Sequence, residues 1–390
     1  MLLTFVLVIK TSIMIASPFK YGKLVDKAHF VNRTAELAFL QHNFNSGINT
    51  ILISPRRWGK SSLVKLAAAE FSKENKDIRF CFIDLFNIRS KEEFYESFAR
   101  EVLKVSFSKW EERMEKATTF FKHLIPKFTM GSDPATDFSI SFDWHEASIN
   151  PTEILNLPET ISKAKGIKIV VCLDEFQNIS FLKNHVDFQK KLRAHWQQHQ
   201  VASYCLYGSK RHMMTELFER KAMPFYKFGD VLFLKKINAK HWVNYIVKQF
   251  ESTNKSIDEK TASYLAEQVD NHSYFVQQLA NMVWYLTETI CTKETVHEAL
   301  NDLMNQYDLM YQKDVDGLTN SQLNFLKAVV KGEKQFSSKD TIARYNLGTS
   351  ANVARIKKAL ETKELIDVYR RGINFVDPLF KRWFETYYLH

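Results

Sequence analysis

The chain has 390 residues, 45% of them apolar and 25% charged, too long for one ordinary domain and too apolar for a disordered chain. Its formal net charge of +10 permits binding to nucleic acid or another polyanion without establishing it. Cys81, Cys172, Cys205 and Cys291 lie far apart with no C-x-x-C, which excludes a disulfide framework or a zinc ribbon and reads as buried thiols in a reducing cytoplasm.

The chain opens on an apolar run broken at Lys10, too short to span a bilayer and without a charged n-region or A-x-A site. No membrane partner is expected. Met14 precedes S-P-F-K-Y-G, so residues 1–13 read as an upstream extension of the reading frame, with a membrane-associating tail as the alternative. Residues 1–17 are set aside from the fold. In H-F-V-N-R-T-A-E-L, His29 to Leu37, Thr34 is the expected cap of a helix through Glu36, Leu37, Phe39 and Leu40, with Arg33 just before it.

Asn49 to Leu63 reads N-T-I-L-I-S-P-R-R-W-G-K-S-S-L. Ile51 to Ile53 predict a buried strand, the proline-containing stretch a loop, and Lys60 to Ala69 an amphipathic helix. Strand, loop and helix in that order suit a phosphate-binding loop, because the first amides of a helix lack internal partners and sit at the positive end of its dipole. Gly59 would admit close backbone approach, Lys60 would reach the β and γ oxygens, and Ser61 would ligate Mg²⁺. Ser54 stands where the G-x-x-x-x-G-K-[ST] pattern has its first glycine.

A strand is expected over Ile78–Leu85 and a helix over Ser90–Val105. Phe107–Asn150 reads as an irregular insertion with a basic amphipathic piece at Phe120–Ile125 and a hairpin arm at Phe138, Ile140 and Phe142. Thr152–Lys165 is the next helix. It leads into I-K-I-V-V-C-L-D-E-F-Q, Ile167 to Gln177, a buried strand delivering Asp174 and Glu175 to its carboxyl end, the edge where ligands bind in open α/β sheets. Asp174 would hold Mg²⁺ through water or with Ser61, and Glu175 would polarise the attacking water as general base.

S-P-R-R-W-G-K-S-S-L, V-C-L-D-E-F-Q and H-F-V-N-R-T-A-E-L together resemble the archaeal-type ATPases, P-loop ATPases of the AAA+/STAND kind also found in Bacteroides-group bacteria. The likeness runs from about Pro18 to the C-terminus, and serine at position 54 resembles a variant common there. The resemblance implies ATP or ADP held by Pro55, Arg56, Arg57, Trp58, Gly59, Lys60, Ser61 and Ser62. It also puts Arg33 near the adenine or the phosphates, where the residues alone allow an arginine that only faces solvent. An oligomer is compatible with it.

Val186–His199 is the next helix; His195 and His199, four apart, suit a metal or, more simply, a solvated face. Ala202–Tyr207 is a strand closing in Gly208-Ser209. In a P-loop ATPase of this sheet type Ser209 is the sensor, and Lys210 or Arg211 could reach phosphate or be surface charge before a helix at Met213–Arg220. Asp230–Ile237 is the fifth strand, giving a parallel sheet of order 5-1-4-3-2 in an α/β fold of the ASCE type.

From Ala239 the periodicity is helical, a lid that in related ATPases closes over the nucleotide. N-H-S-Y-F-V-Q resembles the family's G-H-P-Y-x-x-Q, which makes His272 a sensor or else a capping turn. Between Gly317 and Asp377 three helices and a two-stranded wing read as a winged helix, and from Asp316 onward thirteen Lys and Arg face eight Asp and Glu. Arg355, Lys357, Lys358, Arg370 and Arg371 are the candidate phosphate contacts for DNA, against an ordinary wet face or a protein-binding module. The expected layout is a core over 18–238, a lid over 239–315 and a winged helix over 316–390, acting as a Mg²⁺-dependent ATPase switch. The alternatives are a nucleotide-gated DNA-binding protein and an interaction scaffold with little or no hydrolysis.

Overall fold

In the computed structural model, which describes residues 16–24, 27–107, 110–121, 126–130, 138–144, 151–369 and 372–389, the apolar run Thr50–Ile53 is a strand, β1, buried along its whole length. It follows helix α1 (Thr34–Ser46) and precedes helix α2 (Lys60–Glu74), strand β2 (Ile78–Asp84) and helix α3 (Lys91–Ser106). Phe94, Phe98 and Val102 recur every four residues and bury one face of α3, while Ser90 caps its start by accepting from the Glu93 amide. The following insertion holds a helix, α4 (Trp110–Phe120), that its sequence did not announce, and the expected hairpin, β3 (Pro126–Met130) against β4 (Phe138–Phe142). Phe138, Ile140 and Phe142 turn inward, the alternation of a half-buried strand. Residues 122–125 of the basic piece lie outside the described residues.

Helix α5 (Thr152–Lys165), strand β5 (Lys168–Asp174), helix α6 (His185–Trp196), strand β6 (Ser203–Gly208), helix α7 (Arg211–Glu219) and strand β7 (Asp230–Phe233) complete the sheet and its cover. The order is β2-β5-β6-β1-β7, all parallel, which read from the other edge is the expected 5-1-4-3-2. Ile53 is in register with Gly208, and Asp84 with Asp174, so β1, β5 and β6 end on one edge. β7 stops four residues short of the expected Ile237, and its partly exposed residues mark it as the sheet's edge.

Asn32–Lys236 and the chain from Tyr311 onward form one compact unit; Ile237–Met310 with the described residues before Asn32 form another. The latter holds α8 (Ala239–Glu251), α9 (Glu259–Gln268), α10 (Ser273–Leu286) and the start of α11 (Lys293–Asp316). Trp242, Ile246 and Phe250 form the buried stripe of α8, against which the ring of Phe19 packs 5.7 Å from Phe250. In the first unit, helices α12 (Asn320–Val330), α13 (Lys339–Arg344) and α14 (Ser350–Thr362) precede strands β8 (Ile366–Tyr369) and β9 (Gly372–Phe375), the expected winged helix. A closing helix, α15 (Pro378–Tyr388), lays Phe380 and Phe384 against Phe375 of the wing.

Candidate active site

The loop between β1 and α2 has two left-handed residues, Arg57 (φ 62°) and Gly59 (φ 88°). Only at 59 does the sequence supply the residue for which that conformation costs nothing, and nothing lies within 4 Å of where a Cβ would stand. Gly59 therefore opens the N-terminus of α2 to a ligand. Ser54 has no positive φ, is buried, and donates to the Pro55 carbonyl at 3.0 Å, so this loop does not need glycine there.

Lys60, in the first turn of α2, reaches the carboxyl end of β5. Its Nζ lies 2.7 Å from Asp174 Oδ1 and 2.7 Å from Glu175 Oε1, while Ser61 Oγ donates to Asp174 Oδ2 at 2.6 Å. Burial pushes the Lys60 ammonium towards neutrality, but the two carboxylates outweigh that and hold it above its ordinary value. Burial likewise pushes Glu175 up, and Lys60, Ser209 and Gln177 together bring it below the usual carboxylate range. Glu175 is itself left-handed (φ 51°), at the point where the strand breaks into a 3₁₀ turn over Phe176–Phe181. Ser209 Oγ donates to Glu175 Oε2 at 2.7 Å, so the residue expected as sensor touches the expected base. A cavity of about 240 Å³ opens beside Glu175, lined by Arg56, Asn178, Lys210 and the exposed rings of Phe86 and Phe181.

The cations flanking this cleft are held by the winged helix. Arg56 pairs with Glu364 at 2.6 Å, Lys210 with the other oxygen of Glu364 at 2.9 Å, and Arg211 with Asp367 at 2.6 Å. Arg211 also stacks on Tyr369, 4.5 Å from the ring centre. Lys210 and Arg211 are thus neither free phosphate ligands nor solvated surface charge. Burial keeps the Asp367 carboxyl above its ordinary value even beside Arg211, so this pair offsets its desolvation only in part.

Arg33 is the N-cap of α1, where Thr34 was expected, and is buried rather than facing solvent. Its Nη1 donates to Glu36 at 2.9 Å and to the Lys235 carbonyl at 2.6 Å, whereas its buried Nη2 has no hydrogen-bond partner among the described residues. His272 is the buried N-cap of α10, its ring 5.0 Å from that of Phe275, and its side chain makes no capping bond to the helix. His195 and His199 form neither a metal site nor a solvated face. Both bond Asn156 Oδ1, at 3.0 and 3.3 Å, and His199 Nδ1 lies 2.9 Å from the Tyr204 hydroxyl. No cluster of metal-binding side chains occurs among the described residues apart from what Asp174 and Ser61 could offer an ion held with a nucleotide. Arg355 and Lys358 are exposed on α14; Lys357 is half-buried with its ammonium 5.2 Å from the Phe336 ring; Arg370 and Arg371 lie outside the described residues.

Sequence reasoning missed Gln177, Glu364 and Asp367. Gln177 stood in the V-C-L-D-E-F-Q string, which signalled its position and not its role. Nothing local to Glu364 points at a loop some three hundred residues earlier, nor anything local to Asp367 at the start of α7.

Residues 20–204 match the family described as "Predicted AAA-ATPase", and residues 309–386 the one described as "Probable winged helix domain". No curated protein matches by sequence. The fold is similar to that of the Walker-type ATPase PABY2304 of Pyrococcus abyssi, at 15% identity and TM-score 0.62 over 92% of this chain and 96% of that one. It is also similar to the ORC2 protein of Aeropyrum pernix, solved as ADPNP–ADP complexes, at 15% identity and TM-score 0.57 over 94% and 96%. No helix among the described residues is long and apolar enough to cross a membrane.

Proposed function

We propose that this chain, a P-loop ATPase fold with an AAA-ATPase-like domain and a C-terminal winged helix, binds ATP at the N-terminus of α2 and hydrolyses it, using the nucleotide state as a conformational switch. The observation that carries this is the cluster in which Lys60 and Ser61 meet Asp174 and Glu175. An ammonium, a hydroxyl, two carboxylates and a helix N-terminus are the parts that phosphoryl transfer to water requires.

Ser61 and Asp174 would hold Mg²⁺, which neutralises charge on the β and γ oxygens when bound. Lys60 exchanges its two carboxylates for phosphate oxygens, and Glu175 Oε1 is released. That oxygen takes a proton from water as the water oxygen bonds the γ-phosphorus; the bond to the bridging oxygen breaks and its electron pair leaves with ADP. The buried Nη2 of Arg33 is a donor suited to an acceptor on the nucleotide in this reading.

The switch reading is supported by the ion pairs of Arg56, Lys210 and Arg211 with the winged helix. A γ-phosphate near Arg56 or Lys210 competes with Glu364 for the same cations. The buried free thiols accord with a reducing cytoplasm.

The test is ATP turnover and nucleotide affinity of wild type, Lys60→Ala and Glu175→Gln. Lys60→Ala should lose binding, and Glu175→Gln should bind but turn over about 10²-fold more slowly or worse. Wild-type turnover by Glu175→Gln would remove the general base from this account. A second reading, a nucleotide-gated duplex-DNA binder, is favoured by the exposed pair Arg355 and Lys358 on the third helix of the winged helix. A salt-dependent mobility shift lost in Arg355→Glu/Lys358→Glu would support it; a shift unaffected by that change would count against it.

A further inference from the structure

We infer that Gln177 is a positioning residue for hydrolysis: its amide, seated against Gly208, decides which oxygen of Glu175 is left to accept a proton from water. This rests on the ATPase reading and adds a residue to it. Gln177 Nε2 donates to Glu175 Oε2 at 2.5 Å, and Ser209 Oγ donates to the same oxygen at 2.7 Å. Lys60 holds the other oxygen, Oε1, at 2.7 Å. Once Lys60 turns to a phosphate, Oε2 remains doubly engaged and Oε1 alone has free lone pairs. Glu175 is left-handed at the end of its strand, and the two donors on Oε2 fix the rotation of its carboxylate.

The cost of placing a glutamine here shows what it is for. The side chain is buried, and its Oε1 has no hydrogen-bond partner among the described residues, a deficit that costs about 1–3 kcal/mol. A methionine or leucine would fill the space without that loss. The amide cannot be turned to relieve it, because a carbonyl facing the Glu175 carboxylate would set acceptor against acceptor. Space is reserved for it as well: a Cβ on Gly208 would stand 2.0 Å from Gln177 Oε1. The turn is anchored from the other side by Asn178 Nδ2, which donates to the Leu85 carbonyl at 3.2 Å.

The experiment compares wild type, Gln177→Met, Glu175→Gln and the double variant, in ATP turnover and in affinity for a fluorescent ATP analogue. Gln177→Met should lower kcat about 10- to 100-fold, as loss of an orienting partner does, with affinity unchanged. The double variant should be no slower than Glu175→Gln alone. Wild-type kcat in Gln177→Met would overturn the inference, and so would a loss of affinity equal to the loss of kcat. If Glu175→Gln is inactive while Gln177→Met is unimpaired, this inference falls and the ATPase reading stands; if Glu175→Gln turns over normally, the general base and this inference fall together while ATP turnover stands; if wild type does not turn ATP over, the ATPase reading itself falls. Gln177→Leu, checked by thermal melting, serves if the methionine variant does not fold.

Discussion

Lys60 is the residue on which both chemistry and local stability converge. Without nucleotide it neutralises two carboxylates, so Lys60→Ala should cost about 1–3 kcal/mol in chemical denaturation, the lower end reflecting partial exposure of the pairs. The sign with pH follows from its shift: a lysine held above its ordinary value contributes stability that is full below that value and fades as pH rises through the raised one. Glu175, held below its ordinary value, contributes above that value and loses its share as pH falls through the lowered one. The cluster therefore supports the apo fold from weak acid to weak base. Chelation of divalent cations should abolish turnover while leaving measurable ATP binding, since Lys60 and the amides of α2 remain; undiminished turnover in EDTA would exclude the ion.

At the scale of elements, α5, α6 and β6 are tied by a polar knot at the far edge of the sheet. Glu159 accepts from the amides of Gln200, Val201 and Ala202 between 2.9 and 3.1 Å, and these bonds with Lys163 outweigh burial and hold it down to about 2. Glu159→Ala should cost about 2 kcal/mol by stripping those amides of their acceptor. Burial lowers His199 to about 4 from 6.5, so the unfolded chain binds a proton there first. Tm should accordingly fall between about pH 6.5 and 4.5, a window above the titration of either glutamate, and His199→Gln should flatten it. The spacing of these histidines alone suggested a metal or a wet face; only the packing of α6 against α5 brings Asn156 between them.

For the whole molecule, the contact of the winged helix with the phosphate loop and the end of β6 is the feature with most consequence. Glu364→Arg should loosen the winged helix, read as faster tryptic cleavage after Lys313, and Arg56→Glu in the same chain should restore it, with a coupling of about 0.5–3 kcal/mol. Absence of coupling would separate the two. What sequence alone determined was local and periodic: the strand, loop and helix at Asn49–Leu63, the apolar run ending in Asp174-Glu175, the sheet order, and the helices and wing after Gly317. Apart from the sheet order, which the succession of strands and helices along the chain implied, each follows from burial patterns and turn residues within a dozen positions. The strand register then made the meeting of Lys60 with Asp174 foreseeable. Tertiary structure decided the rest, namely that Arg33 is buried, that Gln177 serves Glu175, and that Glu364 and Asp367 claim the cations beside the cleft. Those are pairings of charges and donors distant in the chain, and no periodicity encodes which distant carboxylate a given arginine will find.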